Sequence, residues 1–362
     1  MSRNIAILTG GGDAPGLNAV IRAAVKTATI HYGDRVIGIQ DGYDGLVQNR
    51  DPIPLDLRAV AGLLYRGGTI LGTSNRGNPF SYPVEEGGTI VKKDMSEVLL
   101  HRLKDLKVDA LIVIGGDGSL TIGKELHERG APIVGVPKTI DNDISATDVT
   151  FGFDTAITTA TEALDKLHTT AESHHRCMVL EVMGRDAGWI ALHSGVAGGA
   201  DVILIPEIPF SYDAIFDKIE QRSRVGRKFS IIVVAEGAYP RGGRMVVQET
   251  AEQTMGLARL GGIAHEVGRE ISRQLKIETR VTVLGHIQRG GGPSTFDRIL
   301  STRLGCEAVH LVAQGAFGQM VALRGTTIIS VPLRQAVGRQ KKVDPEGQLV
   351  RTAEATGICM GR

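Results

Sequence analysis

Residues 5–16 read IAILTGGGDAPG. A short β-branched and apolar run meets three glycines, then Asp13, Pro15 and Gly16. Residues 17–30, LNAVIRAAVKTATI, continue with helical spacing. This is a strand, a tight glycine turn and a helix. The same unit recurs at 110–114, ALIVI, which runs into GGDGS and a further helical stretch. Working outward, the sequence predicts strands at 5–9, 35–40, 110–114, 132–136, 177–182, 202–205, 229–235 and 280–284. Helices are predicted at 17–30, 96–107, 120–129, 155–171, 212–225, 258–275 and 294–314. The strands are continuous in Val, Ile and Leu rather than alternating, which indicates cover on both faces, as in a parallel sheet. Strand and helix in alternation give the class α/β, doubly wound. A chain of 362 residues has room for two such Rossmann-like domains with mainly parallel sheets.

Composition narrows the function. Lys plus Arg number 41 and Asp plus Glu 40, so the net charge of +1 offers no bulk attraction for nucleic acid. Three cysteines, Cys177, Cys306 and Cys359, stand far apart, which excludes a disulfide framework and fits a reducing cytoplasm. No 18-residue apolar run is present to span a membrane, and the N-terminal residues read as a first strand rather than a targeting segment. Glycine is abundant, 47 of 362, without a collagen-like period, so its roles are local turns and ligand-facing loops.

Ligands of open α/β sheets bind beyond the carboxyl ends of the strands. Six predicted strand ends carry glycine, carboxylate, His or Arg: residues 10–16, 115–119 (GGDGS), 137–143 (PKTIDND), 183–185 (MGR), 236–237 (EG) and 285–291 (GHIQRGG). The first two suit phosphate, because successive glycines turn backbone N–H groups toward an anion ahead of a helix N-terminus. Neither is a Walker A motif or a full dinucleotide fingerprint. Asp117, Asp141 and Asp143 can hold Mg²⁺, which takes one or two carboxylates plus phosphate oxygens, or accept a proton from an attacking hydroxyl. Arg176, Arg185, Arg280 and Arg289 match phosphate geometry, and Glu236 can accept bonds from sugar hydroxyls. The residues therefore point to phosphoryl transfer, with a polyphosphate in one half and a phosphorylated acceptor in the other.

LTGGGDAPGLNAVIR, IGGDGS, PKTIDND, EVMGR and VLGHIQRGG occur in this order and closely resemble the phosphofructokinase A family, from about residue 5 to about residue 318. The resemblance implies phosphorylation of fructose 6-phosphate at its 1-hydroxyl by ATP with Mg²⁺, in the cytoplasm, with ADP as product. It implies the phosphofructokinase fold: a donor domain of residues 1–152 plus about 288–337, and a fructose 6-phosphate domain of 153–287 plus about 338–362. By the same resemblance Asp141 is the general base and Thr139 contacts the transferring phosphoryl. Asp117 and Asp143 hold Mg²⁺. Gly11, Gly116, Gly118 and Ser119 line the nucleotide phosphates, with Tyr43 near the nucleotide. Met183, Gly184, Arg185, Glu236, His286 and Arg289 form the sugar-phosphate site. Arg176 and Arg280 match residues that reach that site from a neighbouring subunit, which implies a homotetramer with shared sites.

Donor choice rests on two positions. Glycine after GGD accompanies ATP in this family and aspartate accompanies pyrophosphate, whereas lysine before TIDND is usual in pyrophosphate enzymes. This chain combines Gly118 with Lys138, and the balance favours ATP. Lys138 either adds a cation near the transferring group or points to solvent. The alternatives are a pyrophosphate-dependent phosphotransferase and a catalytically inactive regulatory subunit. In LGTSNRGNPF (71–80) Arg76 is the expected phosphoryl-neutralising residue, one place off the family spacing. Arg22, Lys26, Asp201 and Arg227 roughly match the family's effector site, where His168 replaces an arginine and would make regulation sensitive to pH. Residues 82–94 are expected to form a hairpin or surface insertion, and 238–262 a second insertion. The Lys341–Lys342 pair of the C-terminal stretch is read as a solvated face.

Overall fold

The computed structural model describes residues 2–74, 77–249 and 259–362. Its strands are β1 (Asn4–Thr9), β2 (Arg35–Ile39), β3 (Ile53–Pro54), β4 (Tyr82–Glu86), β5 (Thr89–Lys93), β6 (Ala110–Gly115), β7 (Ile133–Pro137), β8 (Cys177–Val182), β9 (Val202–Leu204), β10 (Ser230–Ala235), β11 (Val247–Glu249), β12 (Arg259–Leu260), β13 (Thr279–Val283), β14 (Gln319–Arg324) and β15 (Thr327–Pro332). The helices are α1 (Leu17–Lys26), α2 (Tyr43–Val47), α3 (Ser96–Asp105), α4 (Asp117–Glu128), α5 (Phe153–His174), α6 (Trp189–Ala197), α7 (Tyr212–Arg224), α8 (Ile263–Leu275), α9 (Thr295–Ala313), α10 (Leu333–Ala336) and α11 (Gln348–Ala355).

The chain divides into two compact units. The first comprises Met1–Thr139, Asp143–Gly152 and Arg289–Gln340, and the second Ile140–Asn142, Phe153–Gln288 and Lys341–Arg362. In the first unit a seven-stranded sheet runs β15-β14-β7-β6-β1-β2-β3. Its five inner strands are parallel, and β3 and β15 pair antiparallel at the two edges. Ile5 and Ile7 of β1 lie in one core with Ala110, Ile112 and Ile114 of β6. Ala6 and Leu8 lie in the opposite core with Leu111 and Val113. Both faces are covered, which explains why these strands are apolar without alternation. The chain order reverses between β1 and β6, so the crevice of this sheet opens beyond those two strand ends.

In the second unit four parallel strands run β13-β8-β10-β9. One core gathers Val179, Ile232, Val234 and Leu204 with Val267 and Ile271 of α8. The ends of β8, β10 and β13 carry the MGR, EG and GHIQR stretches.

Several elements differ from the sequence expectation. α1 ends at Lys26, and Thr27–Tyr32 continues as a π-helix. α4 begins at Asp117, so Asp117, Gly118 and Ser119 are its first turn rather than a loop. The helix expected at 258–275 begins at Ile263, and Arg259–Leu260 pairs with β11 as a strand. Residues 82–93 agree with the expectation, forming the antiparallel hairpin that is one of the two forms expected of 82–94. α6 and the β14–β15 hairpin were not anticipated. α6 is buried on most of its faces, so WIALHSGVA has no polar stripe to mark a helical period.

Candidate functional site

The first unit carries the glycine-bearing ends of β1 and β6. Gly116 caps α4 without a side-chain hydrogen bond, which leaves the first-turn N–H groups at 117–119 as donors beside the helix dipole. Tyr43 is buried beneath this turn and donates its hydroxyl proton to the Ser119 carbonyl at 2.8 Å. Burial raises its phenol far above the ordinary value. A β-carbon built on Gly118 meets no atom within 4 Å, so the position opens to free space. The glycine run after β1 behaves differently from expectation. Gly10 N–H bonds to the Ile114 carbonyl at 3.0 Å and Gly11 N–H to the Ser74 carbonyl at 3.2 Å. These two amides hold the loop in place and are not available to cradle an anion.

Lys138 does not point to solvent. It is 4% exposed and donates to the Gly12 carbonyl. Arg289 also lies against this loop: a β-carbon on Gly12 would fall 1.7 Å from Arg289 Nη1. Arg289 Nη1 reaches the Asp13 carbonyl at 3.4 Å, while its Nε is buried with no partner among the described residues. Asp117 Oδ1 accepts the Gly338 N–H at 3.1 Å, and Asp143 Oδ2 accepts Gln340 Nε2 at 3.4 Å. Thr139 accepts the Thr150 hydroxyl proton at its carbonyl, 2.8 Å away. No group of three or more His, Cys, Asp or Glu among the described residues could hold a metal by itself. Asp117 and Asp143 are hard oxygen donors, and two carboxylates are what Mg²⁺ takes when phosphates and water complete its shell. Arg76 lies outside the described residues.

The second unit carries the MGR and EG strand ends. Met183–Arg185 and Glu236–Gly237 interlock. Arg185 N–H donates to Glu236 Oε1 at 3.1 Å, and a β-carbon on Gly237 would fall 2.0 Å from the Arg185 carbonyl oxygen. Gly184 and Arg185 both take positive φ, 140° and 49°, so the turn is held by this contact. Burial raises the Glu236 carboxyl to about 7, with the Asp141 carboxylate adding to the rise against the Arg185 N–H. Asp141 is 6% exposed. His286 is exposed on the turn after β13.

Other expected residues have partners of their own or lie on other elements. Arg176 Nη2 lies 2.9 Å from Glu278 Oε1, an oxygen shared with Arg280. Asp201 pairs with Arg222 Nη1 at 2.5 Å and accepts the Ile231 N–H at 2.9 Å. His168 Nε2 sits 2.6 Å from the Gly198 carbonyl. Arg22 and Lys26 lie on α1 in the first unit.

Three supporting residues escaped the sequence reading. Glu181, 3% exposed, accepts the N–H groups of Gly262 (3.0 Å to each oxygen) and Ala264 (2.9 Å), capping α8. A carboxylate inside the apolar run CMVLEV was the available signal. Gln288, fully buried, accepts the Met183 N–H at 2.8 Å. Glu207 accepts the N–H groups of Gly188 and Val343, and burial raises its carboxyl.

The chain matches the family model described as Phosphofructokinase over residues 4–312. It is 57% identical over 358 residues to "ATP-dependent 6-phosphofructokinase 2" of Clostridium perfringens, covering 98% of each chain. It is 52% identical over 342 residues to the "Pyrophosphate--fructose 6-phosphate 1-phosphotransferase" of Streptomyces coelicolor, covering 94% of this chain and 96% of that one. Among solved structures, the Pichia pastoris phosphofructokinase in its T-state superposes with a TM-score of 0.79 at 33% identity. That match covers 99% of this chain, which spans 37% of the yeast polypeptide. With the family match, the relatives and the shared architecture in agreement, this chain belongs to the phosphofructokinase family.

Proposed function

We propose that the chain is an ATP-dependent 6-phosphofructokinase, transferring the γ-phosphoryl of ATP to the 1-hydroxyl of fructose 6-phosphate. The observation that carries the donor assignment is the open position at Gly118 beside the free first-turn amides of α4. A polyphosphate chain extended by adenosine needs that room. The 57% identical Clostridium relative carries the ATP-dependent name, which supports the same reading.

In this mechanism the α4 N-terminus and Ser119 hold donor phosphates. Asp117 and Asp143, steadied by Gly338 and Gln340, would hold Mg²⁺, which neutralises phosphate charge when bound. Asp141 accepts the proton of the sugar hydroxyl as the loose transition state forms, and Thr139 orients the phosphoryl. Arg76 and Arg185 neutralise the transferring charge. Arg185, His286 and Arg289 bind the sugar phosphate with Met183, Gly184 and Glu236. Arg176 and Arg280 are assigned to a neighbouring subunit's acceptor site in a homotetramer. The nucleotide domain is the first unit and the acceptor domain the second. Among the described residues no helix is long and apolar enough to cross a membrane.

Lys138 favours a second reading, with pyrophosphate as donor. A buried lysine at the glycine loop adds a fixed cation where a short, highly charged donor needs one. The 52% identical Streptomyces relative carries that name. The deciding experiment is the initial rate of fructose 1,6-bisphosphate formation with Mg²⁺ and either ATP or pyrophosphate. Turnover with ATP alone supports the first reading, turnover with pyrophosphate replaces it, and silence with both leaves a regulatory subunit.

A further inference from the structure

Lys341 is half-buried, unlike its exposed neighbour Lys342. Its Nζ donates to Asn142 Oδ1 at 2.9 Å across 199 residues of sequence. Asn142 stands between Asp141 and Asp143, is 4% exposed, and holds a left-handed φ of 52°. Asparagine tolerates that conformation better than most residues, yet it still needs support to keep it. Lys341 is itself anchored. Its carbonyl accepts Trp189 Nε1–H at 2.9 Å, and its Nζ lies 5.8 Å from the centre of the same indole. Two residues on, Val343 N–H is bound by Glu207, which also holds Gly188 at the start of α6. The lysine is therefore mounted on a fixed platform of α6.

We propose that Lys341 is a positioning residue for phosphoryl transfer: it clamps Asn142 in the left-handed turn and so aims Asp141. This rests on the assignment of Asp141 as general base. A base has to meet its proton within hydrogen-bonding reach, and a shift of about 1 Å in such a group can cost about a hundredfold in rate. Removing the clamp lets the turn at Asn142 relax, which reduces turnover without removing any group that touches the sugar phosphate.

The test uses the full-length chain and whichever donor supports wild-type turnover. Lys341→Met keeps the side-chain length and removes the charge and the donors. It should lower kcat about 10- to 100-fold. Fructose 6-phosphate affinity, measured by calorimetry without donor, should stay within twofold. Lys341→Arg, which can still donate to the amide, should recover most of the rate. Asn142→Gly keeps the left-handed turn accessible and deletes the acceptor, so adding Lys341→Met to it should cost nothing further. Trp189, the single tryptophan, reports folding: its emission maximum should be the same in wild type and Lys341→Met. A kcat within twofold of wild type overturns the proposal. An equal loss on the Asn142→Gly background also overturns it, because Lys341 would then act through some other group. A red-shifted Trp189 emission does so too, by making the lysine a structural clasp. A wild-type chain silent with both donors instead removes the assignment of Asp141, and the positioning role with it.

Discussion

Gly118→Asp separates what the scaffold tolerates from what the donor tolerates. Position 118 is the second residue of α4, and an added β-carbon there meets nothing within 4 Å. The scaffold should accept the change. Aspartate is a better helix residue than glycine by a few tenths of a kcal/mol, and in a first helical turn it gains about 0.3–1 kcal/mol from the dipole. The melting temperature should therefore hold or rise slightly. The donor meets a different balance. A carboxylate about 5 Å from an α-phosphate, at an effective dielectric of about 20, is repelled by about 3 kcal/mol. That corresponds to about two orders of magnitude in kcat/KM for ATP. Pyrophosphate has no third phosphate and no nucleoside, so any rate it supports should fall less. The assay is a coupled rate measurement with each donor beside a thermal melt. A loss below fivefold with ATP at unchanged melting temperature would place the α-phosphate away from residue 118. A marked drop in melting temperature would refute the claim that this position is open.

Three further outcomes are expected. Asp141→Asn should lower kcat by about 10²–10⁴ while fructose 6-phosphate binding stays within twofold; near-normal turnover would remove Asp141 as the base. Glu236, raised to about 7 by burial, is largely protonated at pH 6 and ionised at pH 8. Its ionised form accepts sugar hydroxyls more strongly, so KM for fructose 6-phosphate should fall as pH rises through 7, and Glu236→Gln should flatten that dependence. An unaltered pH profile in the variant would exclude Glu236 from the sugar site. Glu181→Ala leaves the buried N–H groups at the head of α8 without their carboxylate and should cost about 3 kcal/mol, read as a lowered denaturation midpoint.

Much of the first unit was legible because it is local. The stretches around residues 5–16 and 110–119 each carry strand, glycine turn and helix within a few tens of residues, and pattern alone gives their type. What the pattern missed was the use of individual backbone groups. Nothing in GGGDAPG says that the Gly10 and Gly11 amides are taken by Ile114 and Ser74, because those partners come from other segments. The resemblance groups Asp201 with Arg22, Lys26 and Arg227 at an effector site, and only the packing shows that its carboxylate pairs with Arg222 of α7. Glu181 looked like an interruption of a strand and is the cap of a helix more than 80 residues away.

The sequence alone determined the fold class and the family. Continuous apolar strands demand two covered faces, and the order of GGGDAPG, GGDGS, PKTIDND, MGR and GHIQRGG carries the family resemblance. Only the tertiary structure decided what steadies the aspartates. Gly338 binds Asp117 across 221 residues, and Lys341 binds Asn142 across 199. Such pairs leave no local period, because they are set by how distant segments pack rather than by spacing along one helix or strand. Lys341 and Lys342 are identical and adjacent in sequence. Packing against Trp189 draws one toward Asn142 and leaves the other exposed.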